Sequence, residues 1–74
     1  MAKKEKEAVY RVTDVIGTSS ESWEAAARAA VNTASKSLRD LRIAEVTKLD
    51  VKVESGKVTQ FRTRLSLSFK YSSD

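Results

Sequence analysis

The chain has 74 residues, no histidine, cysteine or proline, and a formal charge of +4; this limits it to one small domain with no disulfide and no nitrogen- or sulfur-bound structural metal. A domain of this size buries only about 60% of its unfolded surface, so association with further copies is the remaining way to bury more. No apolar run reaches the ~18 residues of a membrane span, and the opening MAKKEKE lacks the apolar segment of a secretory leader, so the expectation is a cytoplasmic protein.

Residues 1–8 read as a charged, disordered tail with nothing to bury, 9–71 as the single domain, and 72–74 as a second tail. Ala8 to Ile16 alternates as a strand, with Tyr10, Val12, Asp14 and Ile16 on one side and Val9, Arg11, Thr13 and Val15 on the other. Asp14 stands out as a carboxylate in line with apolar neighbours. It is either an edge or interface residue paired with a base, or a metal ligand. Gly17-Thr18-Ser19-Ser20 then leads into an alanine-rich helix reaching towards Leu41. Thr18 and Glu21 have capping-box spacing, with Ser19 or Ser20 as alternative caps. Trp23, Ala27, Ala30, Ala34, Leu38 and Leu41 recur at helical spacing, while Lys36 and Arg39 suit the C-terminal end of the helix dipole.

Leu41 to Val53 is β-rich but untidy: Ile43 on one side and Ala44 with Val46 on the other are all apolar, and the pattern slips near Lys48-Leu49. A bulge with burial on both faces, one against the helix and one against a neighbouring subunit, accounts for this. Glu54-Ser55-Gly56-Lys57 is a hairpin turn. Val58 to Tyr71 alternates cleanly, with Phe61, Thr63, Leu65, Leu67 and Phe69 against Gln60, Arg62, Arg64, Ser66, Ser68 and Lys70. The class is α+β with β-α-β-β order. Its three-stranded antiparallel sheet, ordered first–third–second, lies on one helix too short to cover it.

The residue types argue against an enzyme. Common nucleophile–base pairs are absent without histidine or cysteine, no serine has a GxSxG setting, and two glycines cannot build a phosphate cradle. Any bound metal must be a hard, oxygen-seeking cation. Lys57, Arg62, Arg64 and Lys70 make the last strand basic, because no acid lies between Glu54 and Asp74. That excess is either a solvated face or an anion site. The lack of interleaved aromatics argues against nucleic acid.

Tyr10-Arg11-Val12, Val15-Ile16-Gly17-Thr18-Ser19 before the helix, Leu41-Arg42-Ile43-Ala44-Glu45-Val46 after it, and Phe69 in a long last strand resemble the dodecin family. The resemblance implies a sheet partly wrapped around one helix, assembled as a hollow dodecamer with itself as partner. Many dodecins stack flavins between tryptophans, with a glutamine on the ring edge. Ile43, Ala44, Glu45 and Arg62 stand at the positions of that pocket, with Ile43 at the tryptophan and Arg62 at the glutamine. Isoleucine offers no π-face, and a guanidinium is costly in a closed apolar pocket, so flavin is disfavoured. Ser22-Trp23-Glu24, Leu41-Arg42-Ile43-Ala44 and Ser68-Phe69-Lys70 are similar to the calcium-binding branch. That similarity implies calcium held at subunit interfaces, with Asp14 the first candidate ligand, then Asp50 and Asp40. Glu45 is expected to pair with Arg42 or Arg62. The alternatives are a flavin-storing dodecin, or a shell binding nucleotides or coenzyme A through the basic strand.

Overall fold

The computed structural model describes residues 7–70, which form β1 (Tyr10–Ser19), α1 (Trp23–Ser35), β2 (Leu41–Glu54) and β3 (Lys57–Lys70). Tyr71, expected to end the last strand, lies outside the described residues, as do 1–6 and 72–74 of the two tails. The sheet has the order β1-β3-β2, antiparallel throughout, as the connections require.

The helix is shorter than its periodicity suggests, and both ends have physical causes. Gly17, Thr18 and Ser19, read as a turn and cap, instead pair with Thr63, Arg62 and Phe61 and prolong β1. The N-cap is therefore Ser22, whose hydroxyl accepts the Ala25 N–H at 3.0 Å. At the other end the Ser37 and Leu38 N–H groups both turn back to the Ala34 carbonyl at 3.0 and 2.8 Å. Asp40, with φ of 58°, then redirects the chain into β2. Lys36 becomes the C-cap and Arg39 lies beyond it, so the last turn carries no base.

Antiparallel partners share a face, and the register therefore sorts the sheet. Val15 lies opposite Leu65 and Thr13 opposite Leu67 on the helix side, where β2 contributes Leu41, Ala44, Val46, Leu49 and Val51. The far side carries Tyr10, Val12, Asp14 and Ile16 with Lys70, Ser68, Ser66 and Arg64. The expected slip in β2 is present as a register shift between Val46 and Lys48, with others at Leu41/Ile43 and Lys52/Val53. Ser55 and Gly56, with φ of 52° and 77°, form the two-residue hairpin turn.

Among the described residues Ala26, Ala30, Leu65 and Leu67 are the buried apolar ones, and Val15, Ala27, Ala34, Leu38 and Leu41 pack against the cluster of Ala30, Leu65 and Leu67. Buried Thr63 donates its hydroxyl to the Trp23 carbonyl at 2.9 Å, fixing the start of α1 to β3. The helix lies over β1 and β3 because Gly17 lets it approach: a Cβ there would come within 2.0 Å of the Ala26 carbonyl oxygen. The molecule is a rod of 57 × 20 × 18 Å. Thirteen helical residues cover only about 20 Å of that length. The two-sided burial expected for β2 is absent within one protomer, where only Leu41 and Val51 of that strand are even half-buried. Among the described residues, no helix is long and apolar enough to cross a membrane.

Candidate ligand-binding site

Register rather than sequence distance brings the candidate residues together. On the far face, β3 serves as the middle column. Ser68 lies between Val12 and Ile43, Ser66 between Asp14 and Glu45, Arg64 between Ile16 and Lys48, and Arg62 between Thr18 and Asp50. Ile43, Glu45 and Arg62 thus share this face. Ala44 does not: it points to the helix side and lines a groove with Ala27, Val31, Val46 and Leu65.

Arg62 is already engaged. Its Nε–H donates to Asp50 Oδ1 at 2.8 Å and its Nη2 to Oδ2 at 3.2 Å, a bidentate pair across the strands. The hydrogen bond from Arg62 holds the Asp50 carboxyl below its ordinary value, and the same bond raises the already high value of the guanidinium. Glu45, expected against Arg42 or Arg62, meets neither, since Arg42 lies 4.0 Å from Asp40 and Arg62 faces Asp50. Glu45 lies in the row of Ser66 instead.

Asp14 accepts the Ser66 hydroxyl at 2.6 Å through Oδ1, while Arg64 stands 3.8 Å from Oδ2. Its side chain is about half exposed, so one oxygen is only loosely held by the neighbouring base. Asp40 sits in the left-handed turn, its carbonyl accepting the Lys70 N–H at 3.3 Å. The three aspartates do not converge. Asp50 is two rows from Asp14, roughly 14 Å along the strand, and no group of three acids forms among the described residues. Asp14, Ser66 and Glu45 form one row of carboxylate, hydroxyl and carboxylate that sequence reasoning missed. Alternation alone gives each strand's faces, but only register gives the row.

Trp23 lies on the helix side. Its ring meets Phe61 edge-on at 5.2 Å, and its Nε1–H donates to the Asp50 carbonyl at 3.0 Å. It therefore presents no ring beside Ile43.

The sequence profile of the dodecin family matches residues 9–72. This chain belongs to the dodecin family. It is similar to the calcium dodecin of Mycobacterium tuberculosis, with 51% identity over 63 residues that span 84% of this chain and 87% of the relative. Among solved structures, the dodecin of Streptomyces coelicolor superposes with a TM-score of 0.87 at 37% identity, covering 95% of this chain and all of that one. The Mycobacterium tuberculosis calcium dodecin, described as a calcium-chelating antigen with a novel calcium-binding site, superposes at 0.78 with 46% identity, covering 90% and 96%. Dodecamer assembly is known for this fold.

Calcium can be tested against this dodecin's own donors. Calcium takes six to eight oxygens, and the far face offers oxygen ligands only. The donors fit calcium in kind but fall short in number. Within one protomer the Asp14–Ser66–Glu45 row would hold a calcium ion by two carboxylates and a hydroxyl, fewer oxygens than a full sphere needs.

Proposed function

We propose that this dodecin is a non-catalytic homododecamer that sequesters a small ligand or cation in the seams between its copies, with calcium favoured over flavin. The observation that carries this reading is the Arg62–Asp50 ion pair on the same face as Ile43. Where a flavin dodecin stacks a ring on tryptophan and meets its edge with glutamine, this face has an aliphatic side chain and a guanidinium already committed to a carboxylate. Seating a flavin would require desolvating or breaking that pair with no stacking to offset it. Similarity to the Mycobacterium tuberculosis calcium dodecin supports the cation.

Asp14 is the first ligand under this proposal because its carboxylate keeps an oxygen beyond the reach of a close ion pair. Asp50 ranks second, since a metal must displace Arg62, and Asp40 third. The chain's own part is to hold oxygens: Ser66 orients the Asp14 carboxylate, and the sheet fixes Glu45 in the same row.

Native mass spectrometry is expected to give twelve times the 8.2 kDa chain mass, and Ile43→Asp to break that assembly by placing a charge in a seam. Calorimetry with calcium chloride is expected to show binding that Asp14→Ala abolishes or weakens at least tenfold. Equal binding by both proteins removes Asp14, and micromolar quenching of riboflavin by the wild type overturns the preference for calcium.

A further inference from the structure

On the far face a bulge sets two cations against each other. The register shift between Val46 and Lys48 leaves Thr47 without a partner in β3, and the Thr47 hydroxyl donates to the Arg64 carbonyl at 3.2 Å. Lys48 is thereby brought directly opposite Arg64, as bulges commonly re-aim a side chain. Like charges in direct cross-strand register repel and cost stability. Elsewhere on β2 and β3, each of Arg42, Lys52 and Arg62 stands within 4.0 Å of an acid. Among the described residues Lys48 has no such partner. Asp50, two residues along the same strand, feels the Lys48 charge, but Arg62 holds both of its oxygens. Arg64 faces Asp14 Oδ2 at 3.8 Å, too long for a hydrogen bond.

The neighbouring row is the electrical complement of this pair. Asp14, Ser66 and Glu45 lie one row away, roughly 7 Å along the strands and within a Debye length. Two carboxylates and two bases cancel across the two rows. A divalent cation on the carboxylates leaves an excess of two positive charges and takes from Arg64 the oxygen that it faces. Lys48 and Arg64 then oppose each other with no acid between them.

We propose that Lys48 and Arg64 form a site for a small dianionic oxyanion, taken up together with the calcium held by the neighbouring row. The inference rests on the calcium reading above and adds a second ligand to it. A tetrahedral dianion restores neutrality, and its oxygens accept from the Lys48 ammonium and from two prongs of the Arg64 guanidinium. Arg64 is the link between the two ligands. Without an oxyanion it stays beside Asp14 and competes with the metal, whereas an oxyanion draws it towards Lys48 and frees the carboxylate. The coupling is reciprocal, so each ligand raises the affinity of the other by the same factor.

Calorimetry tests this by titrating calcium chloride into the full chain in sodium sulfate and in sodium chloride of equal ionic strength, with affinity referred to free calcium. The wild type is expected to bind calcium about fivefold or more tightly in sulfate. Lys48→Gln, which leaves Asp14, Ser66 and Glu45 in place, is expected to bind alike in both salts. Sulfate also strengthens apolar burial, but that effect is common to both proteins, and only the difference between them reads the site. A wild type with equal affinity in the two salts overturns the inference alone, as does Lys48→Gln keeping the sulfate gain. A wild type that binds no calcium in either salt overturns the calcium reading and this inference with it.

Discussion

Replacing Gly17 by alanine tests the packing on which the fold depends. The added methyl would lie 2.0 Å from the Ala26 carbonyl oxygen, 3.0 Å from the Ala26 carbonyl carbon and 2.9 Å from the Ala30 Cβ. Backbone and a buried methyl cannot swing aside as a long side chain can, so α1 must lift by more than an ångström at this point. Lifting it also opens the contact of Ala30 with Leu65 and Leu67. Overpacking of this kind costs about 1–3 kcal/mol, and the backbone contact places it at the upper end. Losing glycine's freedom in the unfolded chain returns only about 0.4–1 kcal/mol. The net is roughly 2 kcal/mol against folding, a fall in midpoint of about 8–16 °C for a domain this small. Circular-dichroism melts of the two proteins at equal chain concentration measure it, because any association would make the midpoint concentration-dependent. Gly56→Ala is the control. It has open space but φ of 77°, so its cost of about 1–2 kcal/mol is conformational and should leave the α1 packing unchanged. A Gly17→Ala protein melting within about 2 °C of the wild type would refute the close-approach argument.

Ser22→Ala is expected to destabilise the fold by about 1 kcal/mol through loss of the Ala25 N–H acceptor, measurable by urea denaturation, and Ser22→Thr, which keeps an accepting hydroxyl, is expected to retain most of that stability. The Asp50 carboxyl is held below 3.8 by the hydrogen bond from Arg62. Its folded value is thus lower than its unfolded one, so the pair's stabilisation is present above the unfolded value and is lost as pH falls through the folded one. Carboxyl NMR titration is expected to place the Asp50 midpoint lower in the wild type than in Arg62→Gln. Identical midpoints in the two proteins would remove Arg62 as the cause.

One protomer leaves much of its sheet uncovered. The strands extend well past a 13-residue helix, and Ile43, Val46, Leu49, Val53 and Val58 are each about half exposed. Under the proposed function, the Asp14–Ser66–Glu45 row offers too few oxygens for a hard cation and would be completed by another copy.

Much of this was legible in the residues alone. Alternation in Val58–Tyr71 assigned Leu65 and Leu67 to the core and the arginines to the opposite face, because a strand's period of two leaves no other choice. The connections gave the strand order, and Ser55-Gly56 gave the turn through its need for positive φ. The helix ends were not legible. Gly17-Thr18-Ser19 looks like a cap locally, and only pairing with β3 claims it for the sheet. The partners of the acids were equally hidden. Asp14 meets Ser66 through the unbroken β1–β3 register, whereas Glu45 reaches that row and Asp50 reaches Arg62 across the β2 register shifts at Leu41/Ile43 and Val46/Lys48. A bulge of one residue re-pairs every side chain beyond it, and tertiary contacts set that offset.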